Sequence, residues 1–295
     1  MDFENRLPDE SVNYSPEHPL KEFAWLVIGA LGTVAVVTAL IGFFAGEIAA
    51  RMPFSTENDF ASSITKHWEE GSRDAQAEEA RQALRAIAAK LVPVMGLPED
   101  MQVKVHYSDG TLPNAFATLG GNVVFYRGLL VKFGSEDAVA TVLAHEIAHA
   151  KLRHPASSLG RGVAVGLTLS LLSSGMGQGV AGGALQTAGT LPLLKYSRDQ
   201  ESVADAEAFA AVAKVYGHVG GAQEAFTELG KLGGGGGMTP AFLQTHPLTT
   251  ERLAAIERTA RERGWALDGA RTPLPPGLAA LKPAEAVKPD AGAAQ

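Results

Sequence analysis

The sequence predicts an α+β fold dominated by helix, with one additional N-terminal helix that crosses a membrane. Three observations carry this expectation. Apolar residues recur at three- and four-residue spacing through several long windows. Between residues 102 and 126, short stretches have the alternating character of strands in a small sheet. The run from Phe23 to Gly46 holds no charged residue.

Residues 1–22 are polar and rich in Pro and acidic side chains, and read as a disordered or surface-lying tail. The uncharged run that follows covers about 36 Å as a helix, against a hydrocarbon core of about 30 Å. A cleaved signal peptide is the competing reading. Against it, the preceding region is long and net acidic, the run exceeds a usual h-region, and no good A-x-A site follows. Lys21 flanks one end and Arg51 the other, so the positive-inside rule does not orient the helix. Residues 47–70 read as a juxtamembrane connector. From Ser72, RDAQAEEARQALRAIAAKLVPVM has helical spacing and is ended by Pro93 and MGLPED. Strands follow at Gln102–Tyr107, Ala115–Leu119 and, after a Gly-Gly turn, Asn122–Tyr126. A helix from Ser135 to about Arg153 stops at Pro155. Residues 162–194 carry no charge and are dense in Gly, Ser, Ala and Leu. They are too short for two ordinary spans with a turn. The readings left open are a helical hairpin, a bilayer-lying segment, a cover over a cleft or an apolar core segment, with a mobile or membrane-facing hairpin preferred. A second strong helix runs from Ser197 to about Tyr216. The five glycines at 233–237 mark a flexible loop before a last helix, Thr249–Arg263. The domain reading is therefore a 1–22 tail, a 23–46 membrane helix, a 47–70 connector, a 71–265 main domain and a 266–295 Ala/Pro-rich disordered tail.

With 295 residues and 46% apolar content, a sizeable core is available. The net charge of −7 leaves no basic surplus for neutralising phosphates, which excludes a nucleic-acid partner. There is no cysteine, so disulfides and thiolate metal sites are excluded as well. Any metal must be held by histidines and carboxylates.

The helix before Pro155 contains HEIAH: His145, Glu146 and His149. Positions i and i+4 project from one helix face, so both imidazoles can reach one ion. Glu146 is then placed to touch a water on that ion rather than the ion itself. Neutral imidazoles leave zinc electrophilic, zinc makes its water more acidic, and a carboxylate can take the proton as the water attacks. The helix is also apolar through Ala138, Val139, Val142, Ile147 and Ala148, and two histidines and a glutamate buried there would be costly without a metal. One Zn2+ per chain is the expectation.

A catalytic zinc usually has three protein ligands. His154 follows His149 by five residues, at the wrong angle for the same ion, and reads as a structural or capping histidine at a helix C-terminus. In YSRDQESVAD, Glu201 and Asp205 lie one turn apart, so one can bind metal while the other orients a ligand histidine. Spacing alone leaves Glu207 and Glu224 available too.

HEIAH, then YSRDQESVAD after an apolar insertion, then THPLTTERL, together resemble the membrane-associated gluzincin metalloproteases that include the CAAX prenyl endopeptidase and the bacterial heat-shock protease HtpX. NAFATLGGNVVFYRGLL, residues 114–130, is similar to the same family's stretch before its active helix. The resemblance covers roughly residues 75–262 in the family's order. It implies a zincin-like fold, endopeptidase activity on a polypeptide substrate, Glu201 as third ligand and Asp205 in support. It also implies that the strand beginning at Asn122 pairs an extended peptide along an edge. His246, in THP, lies near the metal and contacts substrate or the oxyanion, or is simply a turn histidine. Arg252 pairs with a carboxylate near the site or sits on a solvated face. Tyr196 and Arg198 are weaker candidates. The relatives named have several membrane spans where this chain has one secure span, so specificity for prenylated substrates is not carried over. The arrangement is more like single-anchor bacterial members acting on membrane or envelope proteins in quality control, with the catalytic domain outside the cytoplasm. The alternatives are a zinc-bearing chaperone or scaffold with a latent site, against which Glu146 argues, and a peptide-trimming exopeptidase.

Overall fold

A computed structural model of the chain describes residues 19–69, 74–173, 196–233 and 240–283. Helix α1, Pro19–Ala50, extends past the uncharged run at both ends, and its large apolar side chains are mostly exposed. Its 31 residues from Leu20 to Ala50 form the one described helix long and apolar enough to cross a membrane. The segment read as a connector is itself a helix, α2, Phe54–Glu69. Its first turn is buried at Phe54 and Glu57, so it packs into the main body of the fold rather than running free from the membrane helix.

Helix α3, Ala75–Leu91, starts where the Asp74 side chain accepts from the Ala77 N–H, and it buries Leu84, Ile87 and Leu91. The strands are β1, Lys104–Ser108, β2, Ala115–Ala117, and β3, Asn122–Tyr126. They form one sheet in the order β1-β3-β2, with β1 parallel and β2 antiparallel to β3. The Gly-Gly turn before β3 has φ of 70° at Gly120 and 75° at Gly121, a conformation that glycine adopts without a Cβ clash. Strand β3 lies in the middle of the sheet. The expectation that it offers an edge to a peptide is therefore incorrect: β1 and β2 occupy its two sides, and β2 carries an outer edge. Alternation reports which face a side chain takes, not which strands flank it.

After a short turn of helix, α4, Arg127–Leu130, comes α5, Glu136–Lys151, whose cap Ser135 accepts from the Ala138 N–H. Every residue of α5 from Glu136 to Ala150 is buried, so this is a central helix whose polar side chains, His145, Glu146 and His149 among them, are enclosed by the fold. It packs against α3, the sheet and two later helices. Helix α6, His154–Ser173, begins immediately afterwards. Pro155 is its second residue, where a missing N–H is no loss; it starts α6 rather than stopping α5. Helix α6 lies along α1, and a Cβ at Gly160 would stand 2.4 Å from the Ala45 carbonyl oxygen, so glycine permits the close approach. The remainder of the uncharged segment, 174–194, lies outside the described residues, as do residues 1–18.

Helix α7, Arg198–Tyr216, opens with a reciprocal box between Ser197 and Gln200 and closes at Gly217, φ 80°. Then come α8, Gly220–Gly233, α9, Ala241–Thr245, and α10, Thr250–Arg263, capped by Thr249. Residues 264–283 depart from the expected disordered tail. Glu136 N donates to Thr272 O at 2.9 Å, and helix α11, Pro276–Ala279, is followed by Leu281, with Leu278 and Leu281 both buried in the main core. Leucines spaced among the prolines supply anchors that composition alone conceals. Residues 284–295 lie outside the described residues.

Candidate metal centre

Helix α5 presents His145 and His149 on one face, and the first turn of α7 brings Glu201 opposite them. His246, which ends α9, completes the group; all four side chains are buried and offer donor atoms within 4.8 Å of one another. His145 Nε2 lies 3.0 Å from His149 Nε2 and 3.2 Å from His246 Nδ1. Glu201 Oε1 lies 2.9 Å from His246 Nδ1 and 3.4 Å from His149 Nε2, and its Oε2 is 3.5 Å from His145 Nε2. Ligands placed tetrahedrally at roughly 2.0–2.1 Å from one ion stand about 3.3 Å apart. The donor set therefore fits a metal ion, held by imidazoles and a carboxylate with no thiolate available in this chain.

The surroundings fix the donors. Asp205, one turn beyond Glu201, places Oδ1 3.0 Å from His145 Nδ1, which leaves Nε2 to face the cluster. Arg252 on α10 grips Asp205 through Nε at 2.7 Å and Nη2 at 2.8 Å, and its Nη1 lies 2.7 Å from Glu201 Oε2. The same Nη1 donates to Pro247 O at 3.0 Å, tying the turn after His246 to the pair. Tyr196 stacks on the His149 ring at 4.0 Å, and Phe242 stacks on His246 at 4.7 Å.

These contacts set the protonation tendencies. Burial works against charge on His145, but the Asp205 and Glu201 carboxylates outweigh it and raise the ring to about 10. His149 is pushed well below its ordinary value by burial and by the charge on His145. Burial also opposes ionisation of Glu201 and Asp205. Facing histidines overcome it at Glu201, and His145 with Arg252 does so at Asp205, so both carboxyls lie below their usual range. Burial pushes the Tyr196 hydroxyl well up.

Glu146 is fully buried beside this group. Its Oε2 accepts from the Ala117 N–H of β2 at 2.8 Å. Its Oε1 lies 3.4 Å from His246 Nε2, and neither atom has a hydrogen-bond partner among the described residues. Two buried polar atoms left open at one spot mark a place for a further polar group.

The structure thus brings together His145, Glu146, His149, Glu201, Asp205, His246, Arg252 and Tyr196. It does not bring in Asn122, whose side chain bonds His106 at 2.8 Å and the Leu119 carbonyl at 2.7 Å and so supports the turn before β3. Arg198 is exposed at the start of α7. Of the rival glutamates, Glu207 pairs with Lys151 at 2.8 Å and Glu224 accepts from Ser135 Oγ at 2.7 Å. His154 is no cap of α5: its Nδ1 lies 2.8 Å from His149 Nδ1, and burial lowers it to about 4. The Ala117 N–H escaped sequence reading because a backbone donor leaves no side-chain signature.

The model of peptidase family M48 matches residues 78–260, more than half of the chain and all of the residues just assembled. The chain is 29% identical over 172 residues to the mitochondrial metalloendopeptidase OMA1 of Schizosaccharomyces pombe, covering 58% of this chain and 50% of that protein. It is 32% identical over 158 residues to a putative beta-barrel assembly-enhancing protease of Vibrio cholerae, covering 50% and 33%. With the metalloprotease YcaL of Escherichia coli it shares 31% identity over 154 residues, covering 48% and 56%. The matches therefore span between a third and just over half of these relatives' lengths. The chain belongs to peptidase family M48.

Proposed function

We propose that the chain is a membrane-anchored zinc endopeptidase, with His145, His149 and Glu201 as ligands and Glu146 as general base. The observation that carries this reading is the open Glu146 oxygen beside a converged set of buried histidines and a carboxylate. When bound, zinc supplies a Lewis acid that polarises the scissile carbonyl and makes water more acidic. Glu146 takes the proton from the attacking water and delivers it to the leaving amine. The Ala117 N–H fixes Oε2, so the free Oε1 does this work, and β2, which holds the base, is one of the two edge strands of the sheet among the described residues, where an extended peptide could pair. Asp205 and Arg252 hold His145 in the tautomer that ligation needs.

His246 closes the donor set as a fourth member. Catalytic zinc sites keep one position open, so with His145, His149 and Glu201 as the ligands His246 would be left to contact substrate or the oxyanion. The closed set favours the second reading, a scaffold with a latent site; the buried base at Glu146 favours the enzyme. Helix α1 is the anchor in this reading, with the catalytic domain outside the cytoplasm and substrates drawn from membrane or envelope proteins under quality control. The name of one relative, a putative beta-barrel assembly-enhancing protease, is in keeping with an envelope substrate.

Membranes washed at alkaline pH should retain the chain, and full-length protein extracted from them in detergent should hold about one zinc and cleave casein. Glu201→Ala should lose the metal and the cleavage together. A Glu201→Ala protein that keeps zinc as tightly as the parent would show that the third ligand is another residue.

A further inference from the structure

The two ligand histidines of α5 are held by different chemistry. Behind His145 stands a carboxylate, Asp205. Behind His149 stands a neutral partner, His154, with Nδ1 to Nδ1 at 2.8 Å. A His149 ring that turns Nε2 to the metal keeps its proton on Nδ1, so His154 Nδ1 must be the acceptor and carry its own proton on Nε2.

What places His154 there is the kink between α5 and α6. Arg153 has φ 59°, the one positive value at a non-glycine among the described residues. An arginine in that conformation is strained and needs a surrounding that holds it. Helix α2 supplies one. The Arg153 guanidinium lies 3.3 Å above the Phe54 ring, and its Nη1 donates to Glu57 Oε1. Glu57 is 3% exposed, and its second oxygen accepts from the Gly120 N–H at 2.8 Å, fastening the same carboxylate to the turn before β3. Phe54 in turn donates its N–H to Asp100 at 3.2 Å.

We propose that Phe54, Glu57, Arg153 and His154 form a positioning chain for the ligand His149, so that the first turn of α2 sets the orientation of one metal ligand. This rests on the reading of His149 as a ligand. His154 is here a positioning residue: it acts on the metal through His149 alone. The chain also gives the helix directly following α1 a mechanical connection to the metal centre, through Glu57 on one side and His154 on the other.

The test uses full-length protein in detergent, loaded with zinc or with Co2+ as a spectroscopic substitute. His154→Phe keeps the ring shape and removes the acceptor; His154→Asn restores an acceptor oxygen at nearly the same reach. His154→Phe should release zinc to a chelator roughly 10- to 100-fold faster, the scale seen when a ligand's hydrogen-bond partner is lost, and should shift the visible cobalt spectrum. His154→Asn should recover the parent spectrum and bring release within about threefold of the parent. Glu57→Gln, two steps up the chain, should move the cobalt spectrum in the same direction as His154→Phe but less. If His154→Phe does not fold, the Asn and Gln variants decide. Parent-like spectra and release rates in the folded variants would overturn the proposal. His149→Ala separates the two readings: metal lost there but unmoved in the His154 and Glu57 variants overturns only the positioning chain. Metal retained by His149→Ala overturns the ligand assignment and this inference with it.

Discussion

At the scale of single residues, the proposed general base Glu146 offers the test that separates catalysis from metal holding. It is fully buried, one oxygen is fixed by the Ala117 N–H, and the other is open toward His246. Glu146→Gln keeps size and hydrogen bonding while removing the base. Hydrolysis of casein should fall by about two orders of magnitude or more, while zinc content measured in the same sample stays at the parent value. Equal hydrolysis at equal zinc would remove Glu146 from the mechanism. His145, Glu146 and His149 were legible in the sequence because i, i+4 projection is a local property of any helix. Glu201 was not fixed by spacing, since Glu207 and Glu224 met the same criterion. Only the fold sends Glu207 to Lys151 and Glu224 to Ser135. His154 stays outside the donor group and in a structural contact with His149, as the sequence suggested, but it does not cap α5, because Pro155 at the second position of α6 marks a helix start rather than a stop.

At the scale of elements, the site is assembled where α5, α7, α9 and α10 meet, and Arg252 is the tie between the last of these and the rest. Its guanidinium contacts Asp205, Glu201 and the Pro247 carbonyl, and its side chain is 10% exposed. Removing one partner of a buried ion pair leaves carboxylates desolvated without a counter-charge, at a cost of about 3–5 kcal/mol. Arg252→Met, which preserves much of the packing, should therefore lower unfolding stability by about that amount in denaturant titrations. A loss under about 1 kcal/mol would mean that solvent reaches the pair. Helix existence was readable here: capping at Asp74, Ser135, Ser197 and Thr249 and apolar spacing are written in neighbouring residues. The central place of β3 was not, because strand order depends on partners distant in sequence. Helix α2 was missed for a related reason. Its buried turn rests on Phe54 and Glu57, which find their partners at Arg153 and Gly120.

At the scale of the whole molecule, the candidate metal centre draws on parts of the chain that are distant in sequence. His145 and His149 belong to the central helix, Glu201 to α7 and His246 to the segment before α10. A ligand that binds only the folded state adds stability by mass action, about 4 kcal/mol when free zinc is a thousandfold above its Kd. For a domain of the size matched by the family, each kcal/mol shifts Tm by about 2–4 °C. Stripping zinc with a chelator should accordingly lower Tm by about 8–16 °C, and returning zinc in excess should restore it. The melt should be followed on the catalytic core, by near-ultraviolet signals from its buried tyrosines, because α1 is mostly exposed to its surroundings and contributes helix that need not unfold with the rest. Chelation removes the cation that offsets three crowded imidazoles and a buried carboxylate, so the loss falls on packing at the junction of α5, α7 and α9. A shift under about 2 °C with zinc shown to be absent would mean that His145 holds its neighbours through Asp205 and Arg252 alone. The metal would then be a cofactor carried by a site already rigid without it.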